Sequence, residues 1–473
     1  MRKIHAFDQG IYNPYKMENV KIKSAQAIKE NKILFTEDYF NQEEPKEWEV
    51  RYDNGYPTVF YDPYIEKYRC YYSTFILDDS SSGVSLEERK NKDYEPTIER
   101  LVGLCYAESS DGIHWEKPNL NLTEWHGSKE NNIIDIFLHG SSVMLDHHEN
   151  DPAKRYKMFT KIDYGNGVHY LAVAFSEDGL HFDEYIPLED FNPRADTYNY
   201  VYYEENTGYY ILVTRTWRDS MRVPVLSYSK DFLTWTSTEE MMSSPSFENQ
   251  IYSMPFFKKD DYYIGLASVY HEGDRAADNF DQVDLHLTYS YDKRNWYYID
   301  LETPFIERGK GDYQQGEFDN GCIFSAAPVK IDEKEYFYYL GGNGPHTNYR
   351  ETSLARAFLS KERYAYLEAK NKEDEAVVYT NGFIFLENKL KIDAEIKQDG
   401  YLKVNLYTNH HEKIDHPEII FTEADKDIHL EIPEKLFRKI TRLEISFKSA
   451  KIYSFQGKFD TFRIEDDNSL LRA

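Results

Sequence analysis

Four times this chain repeats one phrase: a serine, a spacer, an aspartate, three residues and a large aromatic. The copies are Ser109-Asp111-Trp115, Ser176-Asp178-Phe182, Ser229-Asp231-Trp235 and Ser290-Asp292-Trp296, with the aromatics 67, 53 and 61 residues apart. A recurring unit of this size marks a repeat architecture, in which strands around each copy stack in register. Short β-branched and aromatic runs precede the phrases at 104–107, 171–175, 224–228 and 285–289, and turn formers follow them. Asp111-Gly112 and Asp178-Gly179 signal tight turns. Each aspartate is suited to accept backbone N–H groups there.

Each unit begins with a hairpin of an apolar strand, an acidic turn and a Tyr-rich strand. The pairs are 58–61 with 68–72, 143–145 with 156–159, 200–203 with 209–213, and 254–257 with 262–265. A fifth, 323–327 with 336–339, closes on a degenerate phrase at 354–360. Four strands per unit is the size of one propeller blade. The expected fold is therefore all-β: a five-bladed β-propeller over 49–362, followed by a C-terminal β-sandwich. The competing layout is one long sandwich with fortuitous similarity.

With 473 residues the chain has room for two or three domains. Its 42 Tyr and 28 Phe suit sheets whose rings pack while hydroxyls stay wet. No apolar run approaches 18 residues, so no membrane span is expected. The first eight residues lack a secretory apolar core. Cys70, Cys105 and Cys322 show neither metal spacing nor a disulfide framework. A cytoplasmic location without metal or cofactor is expected. A net charge of -27 argues against nucleic acid and anionic polymers, and leaves neutral sugars compatible. Nothing in the sequence specifies an oligomeric state.

Residues 1–48 are expected to wrap the propeller, with a strand at 32–35. After 362 the pattern changes. Strand-like runs at 383–386, 390–394, 402–406, 419–421, 428–432, 443–447 and 451–455 mostly alternate apolar and polar, as strands with one buried face do. Residues 387–389 read as a turn, and Asp399-Gly400 as a hairpin turn.

The innermost strand of each blade lines the channel, so the residues before it are the candidates for chemistry. They are Asp53-Asn54-Gly55, His139-Gly140-Ser141-Ser142, Asp196-Thr197, Glu248-Asn249-Gln250, and Glu317-Phe318-Asp319-Asn320-Gly321. Any one aspartate there also serves as a turn cap. Carboxylates converging in one aromatic-walled hollow have their pKa values pushed apart, giving the acid and base that glycosidic cleavage requires.

This layout resembles the five-bladed glycoside hydrolases of families 32, 43 and 68. Residues 106–118 and 127–134 are particularly similar to family-32-like proteins. The resemblance implies an enzyme cleaving small oligosaccharides or glycosides, especially furanosides such as fructosides or arabinosides. Asp53 resembles the first aspartate of an Asn-Asp-Pro-Asn-Gly motif, without its preceding Asn and its Pro, and so takes the role of nucleophile or base. Asp196 resembles the Arg-Asp-Pro aspartate, one blade later than in those families, and takes the role of transition-state stabiliser. The Glu-Cys motif has no counterpart. Glu317 is the candidate acid by channel position alone. Asn54 and Asp319 fall beside these as substrate-binding candidates.

Arg215 and Arg222 suit sugar hydroxyls or phosphate, with surface ion pairing as the ordinary alternative. His346 follows a strand of the fifth blade and is placed to reach the pocket or to be a loop residue without a role. Trp125 and Trp217 are expected in loops, as sugar platforms or core covers. A glycoside phosphorylase on the same fold predicts two or more basic residues beside the acid. A non-catalytic carbohydrate-binding propeller predicts channel carboxylates neutralised or dispersed. A sialidase needs one more residue in the phrase and an arginine triad.

Overall fold

The computed structural model describes residues 1–52, 56–97, 99–359, 361–422 and 427–462. Asp53 and Asn54 lie outside the described residues. The chain is nearly all β. Its one α-helix among the described residues is the single turn Asp79–Ser82, and no helix there is long and apolar enough to cross a membrane.

The repeated phrase folds the same way each time. In the first copy the Asp111 carboxylate accepts the Ile113 and His114 N–H groups at 2.8 Å each, and Ser109 Oγ accepts Gly112 N–H at 2.8 Å. Asp178, Asp231 and Asp292 repeat the double acceptance within 2.7–2.9 Å. These bonds hold the Asp178 carboxyl at about 2 despite partial burial. The residue after each aspartate is left-handed: Gly112, Gly179, Phe232 and Lys293 have φ of 71°, 77°, 66° and 67°. Only glycine takes that conformation without cost.

Around these turns the strands form antiparallel sheets. The first holds Arg51–Tyr52, Thr58–Asp62, Lys67–Asp78, Arg100–Ser109, Trp115–Glu116 and Ile133–Ile136. The second is Leu138–Leu145, Tyr156–Asp163, His169–Ser176 and Ile186–Pro187; the third is Tyr200–Glu204, Tyr209–Arg218, Met221–Ser229 and Glu239–Glu240. An eleven-stranded sheet carries the last two units, joined by the single parallel partner Val283 opposite Cys322. One unit runs from Asn249–Ser253 to Trp296–Tyr298, the other from Cys322–Ser325 to Thr352–Leu359. In the fourth unit the predicted strand at 254–257 is broken at Met254-Pro255. Proline has no N–H to give a ladder, and the sheet resumes at Phe256–Lys259.

Successive units are tied by buried acids. Asp62 accepts Tyr156 Oη–H from the second unit at 2.6 Å and Arg69 Nε–H at 2.5 Å. Asp146 accepts Tyr210 Oη–H from the third unit at 2.5 Å, with Lys157 Nζ 3.1 Å away. Glu204 accepts Tyr263 Oη–H from the fourth unit, and Lys293 Nζ at 2.6 Å. The last unit meets the first through the phrase itself: Gly112 O accepts Tyr338 Oη–H at 2.9 Å and Arg356 at 3.0 Å.

The N-terminal segment is shared out between sheets. Ile28–Lys29 and Phe35–Thr36 add to the outer edge of Thr352–Leu359, so only the end of the predicted 32–35 strand is a strand. Lys117 then binds Asp38 at 2.7 Å and Glu49 at 2.6 Å, fastening the segment to the first sheet. Arg2–His5 and Val20–Ser24 instead join the eight-stranded C-terminal sheet, where Ile4, Ile11 and Tyr12 enter its core. That sheet is built on two long strands, Phe383–Thr408 and Ile440–Thr461. The predicted turn at 387–389 and the predicted Asp399-Gly400 hairpin both lie inside Phe383–Thr408. The register shifts between Phe385 and Leu390 and between Ile396 and Tyr401, and Asp399 has φ 63°. Irregularities of this kind bend a strand without ending it.

Replacing Tyr210 with Phe leaves the buried Asp146 one donor short. The expected loss is about 1–3 kcal/mol of stability, read as a lower melting temperature by calorimetry. An unchanged melting temperature would remove the tie from the account of the fold.

Candidate functional site

The third unit supplies the frame. Asp219 and Ser220, with φ of 50° and 62°, join Tyr209–Arg218 to Met221–Ser229. Two left-handed residues in succession make the turn whose twist matches a hairpin. Trp217 stands opposite Arg222 and two residues beyond Arg215, so all three side chains share one face. The guanidinium carbons lie 5.7 and 4.6 Å from the Trp217 ring centre. Trp217 is thus a strand residue and not the predicted loop residue, because the turn is only two residues long.

Arg215 is 2% exposed. It donates to the Asp196 carbonyl and to Tyr252 O at 3.3 Å, and lies 3.5 Å from the Asp196 carboxylate. Arg222 donates to Gln250 Oε1 at 3.0 Å and to Glu272. The Nε atoms of both arginines are buried without a hydrogen-bond partner. Their guanidiniums lie over aromatic rings of the fourth unit, Arg215 4.5 Å from Tyr252 and Arg222 4.9 Å from Tyr270.

His346, from the fifth unit, packs on the same two rings, 4.9 Å from Tyr252 and 4.6 Å from Tyr270. It is 8% exposed and neither ring nitrogen has a partner. Asp281 fixes its backbone: His346 N–H donates to Asp281 O at 2.6 Å, and the Asp281 carboxylate takes Thr347 Oγ1–H at 2.7 Å and Tyr270 Oη–H at 2.9 Å. Burial pushes the imidazole well below its ordinary range, and Arg350, Arg222, Arg51 and Arg215 push it further. His346 is therefore neutral. Arg51 of the first unit donates to Asn348 O at 3.0 Å and stacks 4.2 Å over Tyr94, while its Nε and one terminal nitrogen are buried and unpartnered. Burial, then Arg350, lowers the Arg51 pKa to about 10.

Asp196 sits where this cluster opens to solvent, its side chain 53% exposed. His139 of the second unit is 3.6 Å from it. Desolvation works against the charged carboxylate, but His139, Arg215, Lys161 and Arg222 outweigh it and hold the pKa below the usual value. Asp196 is ionised across the neutral range.

The structure thus brings Asp196, Arg215, Arg222 and His346 together. Glu317 and Asp319 bond to other groups. Glu317 is exposed and accepts Lys310 N–H at 3.0 Å. Asp319 is fully buried against Lys29 Nζ at 2.8 Å and Tyr339 Oη–H at 2.8 Å. Its partner Lys29 comes from a strand 290 residues away. Arg51, Tyr252, Tyr270, Glu272 and Arg350 were not singled out in the sequence. Tyr252 and Arg51 carry a weak signal, lying within three residues of the channel positions Asn249 and Asp53. Trp125, the other predicted platform, stacks on its neighbour His126 at 4.6 Å. No group of three or more His, Cys, Asp or Glu among the described residues is placed to hold a metal ion.

Within range of Arg51, Glu37 accepts Tyr52 N–H at 2.7 Å. Burial raises its pKa to about 8, with Glu351 adding to the rise and Arg89 and Arg51 opposing it. A carboxyl whose pKa rises on folding favours the native state below the ordinary glutamate range, and that contribution is lost as pH climbs to about 8. Glu37→Gln keeps the acceptor for Tyr52. The variant is expected to melt increasingly above the wild type as pH rises from 5 to 9 and to match it at pH 5. A gap independent of pH would contradict this assignment.

No family model and no curated protein matches the chain. Among solved structures it is similar to a protein described as a glycoside hydrolase, at 14% identity and a TM-score of 0.46, over 74% of this chain and 92% of that one. A fructofuranosidase from Schwanniomyces occidentalis complexed with fructosylnystose is 12% identical at a TM-score of 0.42, over 92% and 98%. A thermostable family-43 glycoside hydrolase is 11% identical at 0.40, over 63% and 88%.

Proposed function

We propose that the chain is a glycoside hydrolase acting on small oligosaccharides or glycosides. Its frame is a five-bladed β-propeller over 49–362 with a C-terminal β-sandwich over 363–473, and the arginine–aromatic cluster is its axial site. One observation carries this reading. Five successive units each lend a side chain to one cluster: Arg51, His139, Arg215 with Arg222, Tyr252 with Tyr270, and His346. A channel shared by all units is where a propeller binds small ligands.

Within that site an ionised Asp196 stabilises positive charge developing at the sugar ring. Trp217 offers a flat apolar face for a sugar. Asp53, two positions after Arg51 in the chain, retains the role of nucleophile or base. Glu317 accepts Lys310 N–H, and in this reading the acid role is assigned to Glu272, which bonds to Arg222 within the cluster. Its carboxyl pairs with Arg222 and is 42% exposed.

Phosphorolysis is the second reading, favoured by Arg215 and Arg222 flanking the approach to Asp196. There an oxygen of inorganic phosphate bonds to the anomeric carbon and the glycosidic C–O bond breaks. The leaving oxygen takes a proton from the acid, giving a sugar phosphate.

Turnover of aryl furanosides and pyranosides, with and without phosphate, tests the reading. Asp196→Asn and Glu272→Gln should each lower kcat/KM by about 10²–10⁴-fold with an unchanged melting temperature. Glu317→Gln should leave it nearly unaltered. Full activity in Asp196→Asn would end the hydrolase proposal in this form.

A further inference from the structure

The cluster holds more hydrogen-bond donors than the protein uses. Arg215 Nε, Arg222 Nε, and Nε and one terminal nitrogen of Arg51 are buried without partners, as are both ring nitrogens of His346. Burying a charged donor without an acceptor is costly. Placing guanidiniums close enough to lower one another's pKa, as Arg350 does for Arg51, adds repulsion. An oxyanion relieves both at once, because a guanidinium fork matches the paired oxygens of a phosphate or carboxylate. His346 fits the same ligand. Held neutral, it offers one N–H to an oxyanion and one acceptor nitrogen to a sugar hydroxyl. Asp196, 3.5 Å from Arg215, and Glu272, bonded to Arg222, adjoin this set without filling it, since each carboxylate pairs with only one arginine and the Nε atoms stay without an acceptor.

We infer that Arg51, Arg215, Arg222 and His346 form an oxyanion subsite adjoining Asp196, so that the substrate or co-substrate carries a phosphate, sulfate or carboxylate group. The subsite rests on the reading above only for placing the reaction at Asp196. The oxyanion is either free phosphate that attacks the sugar or an acid group on the sugar itself.

Calorimetric titration of inorganic phosphate, inorganic sulfate and glucuronate into the full chain tests the subsite without requiring turnover. At least one should bind with a Kd near or below ~1 mM, about 4 kcal/mol of affinity. Arg222→Lys keeps the charge and loses the fork. It should weaken binding roughly ten-fold or more, the worth of one hydrogen bond to a charged group. Arg215→Met should do the same, and Arg222→Lys covers the case in which Arg215→Met fails to fold. Asp196→Asn should bind the anion as well as or better than the wild type, which separates loss of this subsite from failure of the hydrolase reading. Faster turnover of neutral aryl glycosides with phosphate, releasing a sugar phosphate, assigns the oxyanion to free phosphate. Hydrolysis of aryl uronides that ignores phosphate assigns it to the sugar. If none of the three anions binds, or if Arg222→Lys binds them like the wild type, the subsite is overturned.

Discussion

A buried carboxylate that takes its last hydrogen bond from the neighbouring unit sets the geometry of this protein. Asp62 and Glu204 end a strand and Asp146 directly follows one, and each accepts a tyrosine hydroxyl from the next unit. A cation from the same neighbourhood, Arg69, Lys157 or Lys293, completes the set. Such a charge is tolerated inside only while fully partnered. The angle between two units is therefore fixed by a contact that fails in steps and not gradually. The tie recurs between the first and second, second and third, and third and fourth units, and side chains of several units meet around His346.

The repeated turn explains why two copies carry glycine and two do not. All four residues after the aspartate are left-handed. At Gly112 an added Cβ would lie 2.4 Å from Tyr338 Oη, and at Gly179 2.8 Å from Tyr71 Oη. In those copies the neighbouring tyrosine comes down on the turn and binds its carbonyl. In the other two the position carries a side chain with its own task. Phe232 is fully buried in the core between the second and third units, and Lys293 reaches Glu204. The cost of a left-handed Phe or Lys, of order 1–2 kcal/mol, is offset by contacts a glycine cannot make.

What the sequence disclosed follows from range. The phrase, its turn and the hairpins are set by residues within about ten positions, so they were legible. The candidate site was legible only in part, because its residues come from five units. Asp196, Arg215, Arg222 and His346 stood out as charged or ionisable groups beside predicted strand ends. Asp319 stood out for the same reason, yet it is neutralised by Lys29, whose strand docks on the outer edge of the last unit. No local pattern reports that docking. The C-terminal sheet misled in the opposite way: Asp399-Gly400 has turn chemistry, but the strand bends there and continues, because Leu402 and Val404 find their partners on the same long strand that serves Ile396.

The charge of the whole chain and the charge of its centre have opposite signs. A total of -27 repels an extended anionic polymer, which would lie along the outer surface. Arg51, Arg215, Arg222 and Arg350 nevertheless all act on one buried histidine. Screening in salt confines a surface charge to about 8–10 Å, whereas groups a few ångströms apart in a low-dielectric interior feel one another strongly. The field around His346 is thus governed by the nearest arginines, and the field outside by the acidic surface. At the proposed oxyanion subsite the two fields together favour a small ligand with a single anionic group over a long polyanion, a selectivity that neither the arginines nor the surface carboxylates provide alone.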